Sequence, residues 1–115
     1  DPRPALQRWL RSLARRDLTA RTAHWAETLD LHPRRVMVGE RTSRWGRSSR
    51  QGALSFCYRQ EMATPRVADA VLAPEVCHIS HLDHGRRFWA LLDSACPWHR
   101  DANRWLQDHE DELII

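Results

Sequence analysis

Residues 66 to 89, RVADAVLAPEVCHISHLDHGRRFW, constrain this chain more than any other stretch. The segment is apolar enough for a core, yet it ends in histidines. Val67, Ala70, Val71, Pro74 and His78 recur at the three-and-four spacing of one helix face. Glu75 and His78 lie one turn apart and can point into the same space. His81 and His84 follow where Asp83-His84-Gly85 turns the helix off. Four metal-competent side chains within ten residues have two explanations. One is a buried helix whose histidines are hydrogen-bonded or exposed. The other is a helix that offers its polar end to a metal.

The flanking segments supply the rest of an α+β domain. Residues 4 to 29 predict helix, with Pro4 at a first helical position. Leu6, Trp9, Leu10 and Leu13 make one apolar stripe, and Arg8, Arg11, Arg15 and Arg16 a solvated face. A break is expected at Asp17-Leu18-Thr19, with Thr19 capping a second helix that buries Trp25 and Leu29. Arg35 to Gly39 alternates as a short strand. A second strand is expected within 42–49 and a third within 53–58. Between them, Arg50-Gln51-Gly52 is a hairpin turn. Thr64-Pro65 opens the central helix over 66–80. A further helix is expected over 86–95, with Phe88, Leu91 and Leu92 inside, and a last one from Pro97 to about Glu112. The six tryptophans are expected in the core.

Two stretches carry a family resemblance. PEVCHISHLDHGRRFW resembles the HExxH-x5-H-x3-FW signature of the YgjP-like and SprT-like small zincin metallopeptidases. RTSRWGRSSRQGALSFCYRQ is similar to the RTRWGSCSSxGxLSFNWRL stretch that precedes the zinc helix in YgjP-like proteins. The resemblance covers residues 5 to 109 and matches the zinc-helix part of longer YgjP-like chains. It implies a zincin fold with a short antiparallel hairpin sheet, bound zinc and a peptide or protein substrate. Within it, Glu75 would be the general base and His78 and His84 metal ligands. A strand near the hairpin would form the cleft rim, where an extended substrate can pair with its edge. Trp45, Gly46, Leu54, Phe56, Phe88 and Trp89 match the pattern. Arg47-Ser48 and Cys57-Tyr58 depart from it, and Pro74 stands where the first histidine belongs.

That last departure bears on the chemistry. Hydrolytic zinc takes three protein ligands and keeps one position for water, whose pKa falls to about 7 on the metal. With Pro74 in the first place, His78 and His84 are left. Three outcomes stay open: Glu75 and His78 as a Glu-x-x-His pair with His84 third, recruitment of His81, or no metal. Pro74 is also expected to weaken the helix and to push Ala73 out of helical geometry.

At 115 residues the chain suits one domain over 1–115. It has no apolar run long enough to span a membrane and no visible secretion leader. It begins at Asp1, which suits a fragment or processed product. Three cysteines without a CxxC pair argue for a reducing, cytoplasmic setting. Cys77 is expected to be a small buried residue, and Cys57 carries a reactive-thiol alternative. His24, His32, His99 and His109 lack metal spacing and are expected at the surface. The formal charge is +3, and all 18 basic residues are arginine. A nucleic-acid partner is therefore a further alternative, for which SprT-like kinship with DNA-associated proteases is suggestive. A non-catalytic protein-binding domain is another.

Overall fold

The central helix forms where its caps and apolar residues dictate. In the computed structural model, which describes residues 1–40 and 45–113, it runs over Pro65–Cys77. Thr64 caps its start, its Oγ1 accepting from the Val67 N–H, and Pro65 fills the first helical position. Val67, Ala68, Ala70, Val71, Leu72, Ala73, Val76 and Cys77 are all buried along it. A helix buried nearly all round is held by its neighbours more than by its own propensity. For that reason it tolerates Pro74. Ala73 stays helical, against expectation, and the helix continues to Cys77. Proline there removes the bond to one carbonyl, that of Ala70, and the surrounding core holds the turn. Residues 78–80, expected to be helical, form a turn instead.

The first helix, α1, spans Arg3–Leu29 without interruption. The break expected at Asp17-Leu18-Thr19 does not occur. Leu18 continues a buried stripe of Leu10, Ala14, Leu18, Thr22, Trp25 and Ala26, and this long-range packing overrides the weak local propensity. The N-terminal apolar residues were misplaced as well. Leu6 is 45 % and Trp9 62 % exposed, because a helix of about 40 Å overhangs the core at that end. Asp30 closes α1 in the left-handed region, its N–H reaching the Ala26 and Glu27 carbonyls. Arg11, expected on the solvated face, and Arg21 both hold the fold together instead. Arg11 stacks on Tyr58, with Arg59 also over that ring, and both bond Glu40 at 3.0 Å. Arg21 pairs with Asp69 through two bonds of 3.0 and 2.7 Å.

Strands β1 (Arg35–Gly39), β2 (Gly46–Ser48) and β3 (Ala53–Cys57) form a sheet in the order β1-β3-β2. Positions 42–44 of the expected second strand lie outside the described residues. The β2–β3 hairpin is antiparallel, and its turn places Gly52 at φ 87°, where a side chain would be strained. β1, however, pairs with β3 in parallel, so the sheet is mixed rather than a simple hairpin sheet. β2 and β1 are its two edges, and β2 lies against the Pro65–Cys77 helix, α2. Gly46 makes that approach possible. A Cβ there would come within 3.1 Å of Phe56 Cδ1 and Val71 Cγ1.

A 3-10 helix, Tyr58–Met62, leads from β3 into α2. Helices α3 (Arg86–Ala95) and α4 (His99–His109) follow, and a short 3-10 turn over Glu110–Glu112 ends the described chain. Leu18, Leu54, Phe56, Tyr58, Leu72, Phe88 and Leu92 lie at the centre of one core. The tryptophans are not its bulk. Only Trp25 counts as buried, and the others flank the core or, like Trp9 and Trp89, face solvent. A ring with a polar N–H sits easily at such an edge. Among the described residues no helix is long and apolar enough to cross a membrane.

Candidate functional site

A cleft of about 330 Å³ opens between α2, the start of β2, and helices α3 and α4. Pro74, Glu75, His78 and His84 all border it. Pro74 and His78, four residues apart, share one helix face. The turn that ends α2 then swings His84 back onto the same wall.

The two imidazoles converge. His78 Nε2 and His84 Nε2 are 2.9 Å apart. The other nitrogen of His78, Nδ1, lies 2.9 Å from the carbonyl oxygen of His81. A carbonyl only accepts, so Nδ1 of His78 carries a hydrogen, and a second hydrogen lies between the two Nε2 atoms. Phe88 braces both rings, its centroid 4.4 Å from that of His78 and 4.8 Å from that of His84. Trp89 packs edge-on against Phe88 and lies 5.6 Å from His84. The aromatic pair is thus a platform under the histidines. The ring of His81 is turned to Ser80 Oγ at 2.8 Å, and its backbone carbonyl is the part that enters the site.

Two nitrogens on one zinc stand about 3.3 Å apart, given bonds of roughly 2.0–2.1 Å. His78 and His84 are within a few tenths of an ångström of that spacing. The third position fails. Pro74 faces the cleft where a helical ligand four residues before His78 would sit, and its ring has no donor atom. Among the described residues no group of three or more His, Cys, Asp or Glu lies close enough to hold one metal ion. The residues present do not complete a hydrolytic zinc site.

His99, expected at the surface, is buried instead. It is 1 % exposed and borders the same cleft. Its Nε2 lies 2.7 Å from Asp93 Oδ1, and Trp89 stacks on its ring at 5.9 Å. The His99 bond, and after it Arg100, holds the Asp93 carboxyl below the usual carboxylate range. Asp93 ends α3 and His99 begins α4, so the turn at Cys96-Pro97 brings them together. No local periodicity announces such a pairing across two helices.

No disulfide joins the three cysteines, and all are buried. Burial, with a smaller contribution from the Glu75 carboxylate, pushes the Cys77 thiol up to about 11, and burial pushes Cys96 up to about 12. Neither supplies a thiolate near neutral pH. Cys57 lies buried in β3 and does not border the cleft.

Comparison with protein families finds a match to "YgjP-like, metallopeptidase domain" over residues 1–109. No curated protein and no solved structure matches the chain.

Proposed function

Because the chain belongs to the YgjP-like metallopeptidase family, we propose that it is a single zincin-type domain that binds peptide in the cleft and hydrolyses it poorly. The observation that carries this reading is Pro74, set on the cleft wall beside the converging His78 and His84. Those two imidazoles are the remnant of a metal site and hold zinc weakly or not at all. Glu75 is the residue we assign as general base of that site. With the ligand set one short, the residues present do not carry a hydrolytic step.

Peptide binding draws on what remains. β2 is an edge strand beside the cleft, and its free backbone groups suit an extended chain. The cleft walls are aromatic and apolar, which suits a side chain anchored there. A reducing, cytoplasmic setting accords with three buried cysteines that form no disulfide.

The test is metal content by mass spectrometry of protein purified without chelator, together with peptide turnover of the wild type and Glu75→Gln. We expect well under one zinc per chain and no turnover above background. Zinc-dependent turnover that Glu75→Gln abolishes would show a working enzyme.

A further inference from the structure

The N-terminal end of α1 carries a second apolar stripe, which the core does not use. At 3.6 residues per turn, Ala5, Leu6, Trp9 and Leu13 fall within about 100° of the helix surface. They lie nearly opposite the buried Ala14, Leu18 and Trp25. Trp9 is 62 % and Leu6 45 % exposed, Ala5 is exposed and Leu13 is half-buried. Residues 3 to 9 are exposed save half-buried Gln7, so this end of the helix stands clear of its neighbours.

The charge around the stripe has one sign. Residues 1 to 16 hold five arginines against one aspartate. Helical spacing puts Arg8 and Arg15 on one side of the stripe and Arg3 on the other. Arg3 bonds Asp1 and Arg16 bonds Asp17, yet both side chains stay about three-quarters exposed, at 76 % and 75 %. Such surface pairs are weak, and an anionic surface can compete for the arginines. Tryptophan and leucine inside an arginine rim suit a helix lying in a membrane interface. The apolar side chains enter the acyl boundary and the guanidinium groups reach the headgroups.

Two other occupants fit less well. The stripe is about 12 Å long and one helix wide. That falls well short of the roughly 800 Å² that each partner gives a stable dimer. Nucleic acid would engage the arginines through its phosphates and leave Leu6 and Trp9 in water.

We propose that the N-terminal end of α1 docks on an anionic lipid bilayer. Leu6 and Trp9 insert at the headgroup boundary, and Arg3, Arg8 and Arg15 meet the lipid charges. The chain lies on such a surface and does not span it.

The experiment uses the full chain and co-sedimentation with vesicles of phosphatidylcholine alone or mixed equally with phosphatidylserine. Binding to the mixed vesicles should be roughly ten-fold tighter or more, and should weaken as salt is raised. Leu6→Gln with Trp9→Gln removes the inserting side chains at exposed positions and should cost roughly ten-fold or more. Arg8→Gln should cost about five-fold on the mixed vesicles, the worth of one arginine near such a surface, and nothing on phosphatidylcholine. Binding to neither vesicle, equal binding to both, or binding that the double variant retains would overturn the proposal. A dimer in light scattering that the double variant abolishes would give the stripe to a second copy and overturn lipid docking. A DNA duplex that binds wild type and double variant alike, with no vesicle binding, would give the arginines to nucleic acid and overturn it too. Circular dichroism checks that the double variant is folded. Should it fail to fold, Arg8→Gln on the two vesicle types still decides.

Discussion

His78 and His84 meet at 2.9 Å on the cleft wall, while Asp17 and Glu61 meet where α1 packs on the 3-10 helix. Both are pairs of like ionisable groups at contact distance. The imidazole pair is fixed from outside. A backbone carbonyl holds one ring and Phe88 supports both, while the two Nε2 atoms share a hydrogen bond. The carboxyl pair is closed on itself. Glu61 is hydrogen-bonded to Asp17, and Arg16 and Arg21 supply charge nearby. A cavity of about 280 Å³ adjoins it, but the carboxyls satisfy one another through a proton. Proximity of like groups marks a site when outside contacts orient both towards a third partner. Both pairs share a hydrogen, and what sets the imidazole pair apart is that outside contacts hold its rings in place.

The strongest way to sharpen this contrast is to give the imidazole pair its missing partner. Pro74→His should complete a three-histidine set with His78 and His84. Zinc at a hundredfold excess over its dissociation constant then adds about 2.7 kcal/mol of stability. Thermal melts with zinc and with chelator would measure it. Wild type should show little or no zinc response. If Pro74→His responds no more than wild type, position 74 does not face a metal site, and the imidazole pair is no remnant of one.

The second test separates the helix from the ligand. Pro74→Ala restores the bond to the Ala70 carbonyl without supplying a donor. It should raise stability in chelator, by up to about 3 kcal/mol, and add no zinc response. A zinc response equal to that of the histidine variant would break the comparison.

The carboxyl pair makes a pH prediction. Burial first, and then the hydrogen bond with Asp17, raise the Glu61 carboxyl from 4.5 to about 7. A raised carboxyl stabilises the fold while protonated. Its contribution is complete below about pH 4.5 and is lost as pH rises through about 7. Asp17 runs the other way. Its carboxyl is lowered from 3.8, chiefly by the Glu61 hydrogen bond, so its share is present above that value and lost on acidification. Glu61 alone should therefore cost the wild type stability between about pH 4.5 and 7, on the order of 1 kcal/mol after solvent screening. Urea melts across that range should show a flatter profile for Glu61→Gln. Parallel profiles would mean that the two carboxyls do not share a proton in solution.

The smallest expected effect belongs to His81. Its backbone carbonyl orients His78, and its ring does not, so His81→Ala leaves that contact in place. In the Pro74→His background, the zinc-dependent stabilisation should be unchanged within about 0.5 kcal/mol. A large loss would make the ring a metal ligand.

Much of the site was legible because its residues are close in sequence. Glu75, His78 and His84 lie within ten positions, and helical spacing places the first two on one side without knowledge of the fold. β1, β3 and α3 also fell close to their expected limits, since alternation, a Gly-containing turn and an apolar stripe are local signals. The Asp17-Leu18-Thr19 break failed because the local signal there was opposed by Leu18, which the core claims.

Tertiary structure decided what depends on distant residues meeting. The sequence could not choose between parallel and antiparallel pairing for β1, because its alternation serves either ladder. It could not order the tryptophans by burial, since a helix stripe shows which residues share a face but not where the core stops along the axis. Nor could it place His99, which is buried beside Asp93 of another helix in a cleft walled by residues 45 to 103. Periodicity and turn chemistry act over a few residues, so sequence alone placed most of the elements and put Glu75, His78 and His84 on one short stretch. Packing acts across the whole chain, so only the folded structure brought the ring nitrogens of His78 and His84 together, put Pro74 beside them and buried His99 in the cleft wall.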